Sequence, residues 1–191
     1  MSENKDYFKR HTGSQSPKYC WIGCADSRIP AETILGLEPG EIFVHRNVAN
    51  QVHASDVNTL SVVQFAVEVL KVEDIIVTGH YGCGGVKAAM TKTDFGPLEA
   101  WLSHIRSTRI HFCNQLDKTE EDNFNLLCEL NVKAQVYETA KLPSVQKAWA
   151  RGQTLRIHGL IYRLENGVLK DLGLTLDRLE QLPEEFWIHT P

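Results

Sequence analysis

The chain has 191 residues, of which 42% are hydrophobic and 23% are charged, and its formal net charge is −4. These values are typical of a globular domain with a sizeable core. The small negative charge gives no basic surface for nucleic acid or for an anionic membrane. No apolar run reaches the roughly 18 residues that a membrane-spanning helix needs. We therefore expect a single domain over residues 1–191, with neither nucleic acid nor membrane as a partner.

Residues 1–18 are polar and lack the apolar segment of a signal peptide, and we expect them to form an N-terminal arm. The chain has five cysteines. An odd number without a signal peptide argues against a disulfide framework and favours a reducing compartment, so the predicted location is the cytoplasm. Two of the cysteines can bind a metal. The others, Cys20, Cys113 and Cys128, are expected to be small buried side chains.

Apolar runs of strand type alternate with helical periodicities along the chain. Strands are predicted over residues 19–23, 41–45, 74–78, 155–163 and 168–171. Helices are predicted over residues 31–35, 56–71, 84–90, 117–140 and 144–150, after Pro97, and from Leu174 to about Pro183. This alternation favours an α/β domain in which helices flank a central, mainly parallel sheet. The working site of such a sheet lies beyond the carboxyl ends of its strands.

Chemically reactive side chains follow two of the predicted strands. Cys24, Asp26 and Arg28 follow the first strand, while His80 and Cys83 follow the third in a glycine-rich turn. Two thiols, one imidazole and one carboxylate make a four-ligand set that suits zinc. Because both groups lie at strand ends, we expect them to meet and to hold one catalytic zinc ion.

Asp26 and Arg28 are predicted to control the fourth zinc position. Asp26 can close that position as a ligand, or it can turn away and pair with the planar guanidinium of Arg28 through two hydrogen bonds. A simple surface ion pair is the alternative. Zinc with two thiolates and a neutral histidine carries no net charge, so it acidifies water less than a site with three histidines. Activity should therefore rise with pH.

Two other functions are compatible with parts of this pattern. A phosphatase-type loop is disfavoured, because only three residues separate Cys24 from Arg28 and because Asp26 would repel a phosphate. A non-catalytic zinc protein would use Asp26 as a permanent fourth ligand, which would make a closed structural site. Arg28 argues against it, since a permanent ligand needs no competing partner two residues away.

The motifs Cys24-Ala25-Asp26-Ser27-Arg28 and His80-x-x-Cys83-Gly84-Gly85 resemble those of the β-class carbonic anhydrases. The resemblance extends through residues 38–41, 45–50 and 158–159. It implies the β-carbonic anhydrase fold, reversible hydration of carbon dioxide to bicarbonate on one zinc per chain, and a homodimer or homotetramer. It also implies Cys24, His80 and Cys83 as zinc ligands, Asp26 as a ligand of the closed state only, and Asp26 and Arg28 as the catalytic gate.

The resemblance further implies an apolar substrate pocket, with some of its residues supplied by the neighbouring protomer. Its residues would be Gln15, Phe43, Val48, Phe65 and Gly84. Many members have tyrosine at the position of Phe65, and most have longer N-terminal helices than this short arm. Hydrolysis of carbon disulfide or carbonyl sulfide is a second enzymatic interpretation, and access to this pocket would decide it.

A bacterial-type (type II) subgroup of the family has a second bicarbonate site, and Trp21, Arg46 and Tyr162 match its residues. Arg46 would supply charged donors to the anion, while Tyr162 and the indole of Trp21 would supply neutral ones. Bicarbonate bound there would favour the closed state, as would low pH. The alternative is that the two aromatic residues belong to the core and that Arg46 is a solvated charge.

Overall fold

A computed structural model describes residues 7–188, so residues 1–6 of the predicted arm lie outside the described part. The rest of the arm contains a short 3-10 turn at Lys9–His11. The strands are β1 (Tyr19–Cys24), β2 (Ile42–Asn47), β3 (Asp74–His80), β4 (Arg156–Tyr162) and β5 (Leu169–Leu176). The helices are α1 (Ala31–Leu35), α2 (Val57–Gln64), α3 (Gly84–Met90), α4 (Leu98–His111), α5 (Glu120–Ala140) and α6 (Pro143–Ala150).

Within residues 7–188 the strands form one sheet in the order β2-β1-β3-β4-β5. The first four strands are parallel, and only β5 pairs in the antiparallel direction. The predicted α/β fold with a mainly parallel sheet is confirmed. Because β1 and β3 lie inside the sheet, they are buried almost throughout, which explains their unbroken apolar runs.

Helix α5 packs closely across β3 and β4 because two glycines in these strands leave room for it. A Cβ atom at Gly79 would lie 2.5 Å from Val132, and one at Gly159 would lie 3.2 Å from Val136. A larger residue at Gly79 would therefore push α5 away from the sheet. This close approach brings the buried side chains of α5 near the carboxyl ends of the strands.

The sequence prediction fails in the C-terminal segment, where a helix was expected from Leu174. Strand β5 instead continues to Leu176, and 3-10 turns follow at Leu179–Gln181 and Glu184–Phe186. The residues Leu172, Leu174 and Leu176 recur at every second position and are less exposed than their neighbours. This period of two is that of a strand with one face on the core.

Two smaller differences concern Cys113 and the helix that was predicted over residues 56–71. Cys113 is exposed, contrary to expectation, because it lies in a surface 3-10 turn after α4. The predicted helix consists of α2 followed by a π-helical turn at Phe65–Val69. In the part of the chain described, no helix combines the length and the apolar character needed to cross a membrane.

An ion-pair cluster joins the amino ends of β3 and β4. Arg156 donates to Asp74 through Nε at 2.6 Å and through Nη2 at 2.8 Å, and His158 Nε2 lies 2.8 Å from Asp74 Oδ1. Burial alone would raise the pKa of Asp74, but the hydrogen bonds from Arg156 and His158 outweigh it and lower that pKa. The carboxylate therefore stabilises the pairing of the two strands in its ionised form.

We predict that Asp74→Asn lowers the free energy of unfolding at neutral pH by roughly 1–3 kcal/mol, since it removes charged hydrogen bonds at a nearly buried position. Because the pKa of Asp74 is lower in the folded than in the unfolded protein, its carboxylate stabilises the fold fully at pH values above the unfolded pKa of about 4. This stabilisation is lost as the pH falls through the folded pKa. The difference between variant and parent should therefore shrink on acidification below pH ~4. Urea titrations at several pH values measure it. Asp177→Asn, in an exposed ion pair, is the matched control, and a difference independent of pH would contradict the prediction.

Candidate metal centre and active site

The carboxyl ends of two neighbouring strands bring a cysteine and a histidine together. Cys24 ends β1, His80 ends β3, and the two strands are paired in parallel. Cys83 follows in the turn after β3, as the residue that precedes α3. The ligand atoms of the three residues all lie within 4.8 Å of one another, and all three residues are buried. The predicted ligand residues therefore meet at one point.

The geometry of this cluster fits a tetrahedral metal ion. The two sulfur atoms lie 3.8 Å apart, which is the separation of about 3.8 Å that tetrahedral Zn–S bonds of ~2.3 Å require. His80 Nδ1 lies 3.0 Å from the carbonyl oxygen of Tyr81. Because a carbonyl can only accept, Nδ1 carries the proton and Nε2 presents its lone pair. Nε2 is buried without a hydrogen-bond partner, and a metal ion would satisfy it.

The surroundings of the two thiols favour the ionised form at Cys24. Contact with Cys83 is the main cause that lowers the pKa of the Cys24 thiol, with a smaller contribution from His80, although burial acts in the opposite direction. The neighbouring Cys24 and burial together raise the pKa of Cys83. Deprotonation of both thiols therefore requires a cation between them.

Asp26 lies beside the cluster and is held by Arg28. Arg28 donates from Nε to Oδ1 at 2.8 Å and from Nη2 to Oδ2 at 2.5 Å, and its backbone N–H donates to Oδ1 at 3.1 Å. The hydrogen bond from Arg28 is the main cause that lowers the pKa of Asp26 to about 2. Asp26 Oδ2 remains 3.8 Å from His80 Nε2. The carboxylate is thus next to the metal cluster but is engaged by the guanidinium.

Arg46, at the end of β2, supports the loop that carries Asp26. It donates to the carbonyl oxygens of Cys24 at 2.7 Å and Asp26 at 2.6 Å, and to that of Ile29 at 3.2 Å. Arg46 is therefore neither a solvated charge nor an open anion-binding group in this structure. Its guanidinium joins β2 to the loop after β1.

The other two residues of the predicted bicarbonate site are buried near the metal cluster. Trp21 and Tyr162 belong to one buried apolar cluster, together with Ile76. The Tyr162 ring lies 5.6 Å from the ring of His80. The indole Nε1 of Trp21 is buried and has no hydrogen-bond partner among the described residues.

The predicted substrate-pocket residues lie at three places. Phe43 and Phe65 stack with their ring centres 5.8 Å apart, while Val48 packs where a Cβ at Gly85 would lie, 2.7 Å away. Phe65 and Val48 are 41% and 37% exposed, which is unusual for apolar residues that are expected to surround a substrate. The space next to Gly84 is open, and Gln15 is exposed in the arm before β1.

Sequence reasoning missed a turn near Cys24. Ala49 has a φ of 61° and Asn50 a φ of 49°, and this left-handed region costs a residue with a Cβ roughly 1–2 kcal/mol. Ala49 is completely buried in the same core cluster as Cys24 and Cys83. The local sequence signal for this conformation is weak, because neither residue is a glycine and only Asn50 is of a type that is enriched at positive φ.

An α/β sheet with a buried Cys–His–Cys cluster at its carboxyl edge is the architecture of a metal-dependent enzyme. Comparison with known families is consistent with this class, since the profile of the family described as carbonic anhydrase matches residues 19–169. The chain belongs to the carbonic anhydrase family, and the structural neighbours identify the β class.

Three relatives illustrate the match. A carbonic anhydrase of Emericella nidulans is 45% identical over 172 residues, which are 88% of this chain and 75% of that protein. The β-carbonic anhydrase of Coccomyxa, solved with acetazolamide, has a TM-score of 0.87 at 39% identity. The match covers 92% of this chain and 81% of the Coccomyxa chain. A tetrameric β-carbonic anhydrase of Sordaria macrospora has a TM-score of 0.84 at 37% identity. The match covers 91% of this chain and 89% of the Sordaria chain.

These relatives confirm that the chain is a carbonic anhydrase with the β-class fold. They do not support the narrower assignment to the bacterial-type subgroup, because the Emericella relative at 45% identity and the Sordaria relative at 37% identity are fungal.

Proposed function

We propose that the protein catalyses the zinc-dependent, reversible hydration of carbon dioxide to bicarbonate and a proton. The observation that carries this proposal is the buried cluster of Cys24, His80 and Cys83 beside a carboxylate that Arg28 holds. Membership of the carbonic anhydrase family supports the same reaction. One zinc ion per chain would be held by the two sulfur atoms and by His80 Nε2.

When bound, the zinc ion would supply Lewis acidity that lowers the pKa of water and makes it a better nucleophile. The protein's own residues supply the rest. The Tyr81 carbonyl fixes the tautomer and the orientation of His80. Asp26 stays ionised next to the cluster, where its carboxylate can accept a hydrogen bond from the attacking water and thereby orient it.

Arg28 decides whether Asp26 takes this role or occupies the metal. The planar guanidinium of Arg28 donates to both carboxylate oxygens of Asp26, and this pairing would keep Asp26 from acting as a ligand of a zinc ion held by the cluster. The observation argues against the non-catalytic alternative, in which Asp26 would be a permanent ligand. We therefore propose Asp26 and Arg28 as the gate of the site.

The apolar pocket that accompanies this function is proposed to need a second copy of the chain. Val48 and Phe65 are partly exposed in the single chain, whereas a site for carbon dioxide should exclude water. A homodimer or homotetramer that covers these side chains would complete the pocket together with Phe43, Gly84 and Gln15. The Sordaria relative is a tetramer. A cytoplasmic location stays a prediction.

Regulation by bicarbonate at Trp21, Arg46 and Tyr162 is a narrower proposal. The buried, unpartnered indole N–H of Trp21 supports it. The four hydrogen bonds of the Arg46 guanidinium to loop carbonyls weigh against it, because an anion would have to displace some of them.

We predict that the protein holds about one zinc per chain and that Cys24→Ser and Cys83→Ser each lose zinc and activity. Serine does not replace a thiolate as a soft zinc ligand, and loss of a ligand should also destabilise the fold. Metal analysis of the purified variants measures the effect. Cys113→Ser, at an exposed cysteine outside the cluster, is the control. Full zinc content in both ligand variants would refute the ligand assignment.

We predict that Arg28→Ala keeps its zinc but loses roughly 10- to 100-fold in activity, since Asp26 is then free to leave its position and close the site. Arg28→Lys should recover only part of the activity, because an ammonium group lacks the planar fork. Carbon dioxide hydration and zinc content are measured on the same samples, with Arg178→Ala as a control at an exposed arginine. An Arg28→Ala enzyme as active as the parent at alkaline pH would exclude the gate.

Bicarbonate regulation is best tested without disturbing the loop that Arg46 supports. We predict that Trp21→Phe and Tyr162→Phe weaken inhibition by bicarbonate near neutral pH, because each removes one polar atom and keeps an aromatic ring. In the parent enzyme this inhibition should fade as pH rises. Steady-state rates at increasing bicarbonate concentration provide the measurement. If both variants retain the inhibition and pH profile of the parent, the regulatory site is not located there.

A further inference from the structure

The turn that joins two of the proposed zinc ligands is built around Tyr81. Its carbonyl oxygen lies 3.0 Å from Nδ1 of His80, and Cys83 follows two residues later. Gly82, between Tyr81 and Cys83, has a φ of 69°, a conformation that glycine adopts without steric cost. The orientation of the His80 ring therefore depends on the direction in which the Tyr81 carbonyl points.

Tyr81 is held at both its backbone and its side chain. Its backbone N–H donates to the carbonyl oxygen of Tyr162 on β4 at 3.1 Å. Its hydroxyl donates to Oε1 of Glu129 on α5, and the guanidinium of Arg163 lies 4.3 Å from the centre of its ring. Tyr81 is only 7% exposed. Because its N–H and its ring are held by different elements, the residue has one orientation in the fold.

Glu129 is in turn placed by the packing of α5 and by a second partner. Helix α5 lies closest to β3 at Gly79, one residue before His80, where an added Cβ would lie 2.5 Å from Val132. Nζ of Lys170 on β5 donates to the same Oε1 atom of Glu129 at 2.9 Å. A hydroxyl donates a stronger hydrogen bond to a carboxylate than to a neutral acceptor. One carboxylate therefore joins α5 and β5 to the turn after β3.

We propose that Glu129 is a positioning residue for the zinc ligand His80, on which it acts through Tyr81. Its carboxylate anchors the Tyr81 hydroxyl, and the Tyr81 carbonyl then keeps the proton on Nδ1 of His80 and directs Nε2 toward the cluster. The partners of a ligating histidine contribute to the affinity of a site for its metal. The inference rests on the proposed zinc function.

The test uses Tyr81→Phe and Glu129→Met, which remove the two halves of one hydrogen bond and keep side chains of similar size. Each variant should raise the dissociation constant for zinc about 10-fold, the lower end of the effect of losing an outer partner of a metal ligand. Competition with a chromophoric chelator measures it. The double variant should bind zinc as well as either single variant, since both changes remove the same bond. Glu129→Gln keeps an acceptor for the hydroxyl and should retain most of the affinity.

A second measurement reports on His80 itself. In NMR spectra of the zinc-loaded protein, the Nδ1 proton of His80 should resonate at lower frequency in Tyr81→Phe and Glu129→Met than in the parent. It should also exchange faster with water, because its hydrogen bond to the Tyr81 carbonyl is weaker. A change that only destabilised the fold would leave this resonance of the folded protein where it is.

Matched changes on the same helix serve as controls. Tyr137→Phe removes a hydroxyl from an exposed tyrosine of α5. Glu138→Met breaks a carboxylate–lysine pair of α5, the one with Lys141. Both variants should keep the zinc affinity and the His80 resonance of the parent, because neither residue contacts the turn after β3.

The proposal is overturned if Tyr81→Phe and Glu129→Met keep the parent's zinc affinity and His80 resonance. It is also overturned if the two effects multiply in the double variant, or if the control variants lose as much affinity. Failure of the proposed function gives a different result, since the parent protein itself would then bind no zinc.

Discussion

The site depends on the pairing of β1 with β3. These neighbouring parallel strands end at the same edge of the sheet, with Cys24 on one and His80 on the other. In this register Gly23 pairs with Thr78, and a shift of one residue would move one of the two donors by about 3.3 Å relative to the other. The ion pair of Asp74 with Arg156 fixes the start of β3 against β4, at the opposite end of the strand from the metal cluster. One strand therefore connects the stability of the sheet to the geometry of the site.

Charge is balanced within the site, which suits a small apolar substrate. Two thiolates would neutralise a zinc ion, His80 would bind in its neutral form, and the charge of Asp26 is matched by Arg28. Unpaired charges would be costly at this depth.

The sequence predicts the parts of this molecule that depend on local pattern. Apolar runs ending in Cys24 and His80 indicate both strands and their reactive ends, and the α/β arrangement follows from the alternation of elements. What it does not predict depends on tertiary contacts. The left-handed conformation of Ala49 is imposed by Asn131, which is distant in sequence and lies on another helix. The exposure of Cys113 reflects its place in a surface turn. Strand β5 continues beyond the predicted end at Asp171 and passes through Gly173, which has a φ of 66° and lies near an irregularity in the pairing with β4.

The most direct test of the account is stopped-flow measurement of carbon dioxide hydration by the wild-type enzyme between pH 6 and 9, before and after removal of its metal. A zinc ion with two thiolate ligands predicts a rate that rises across this range, because water on such a neutral centre ionises at higher pH than on a site with three histidines. The activity should disappear with the metal and return when one zinc per chain is added. Hydration that persists at the same rate in metal-free protein would contradict the account.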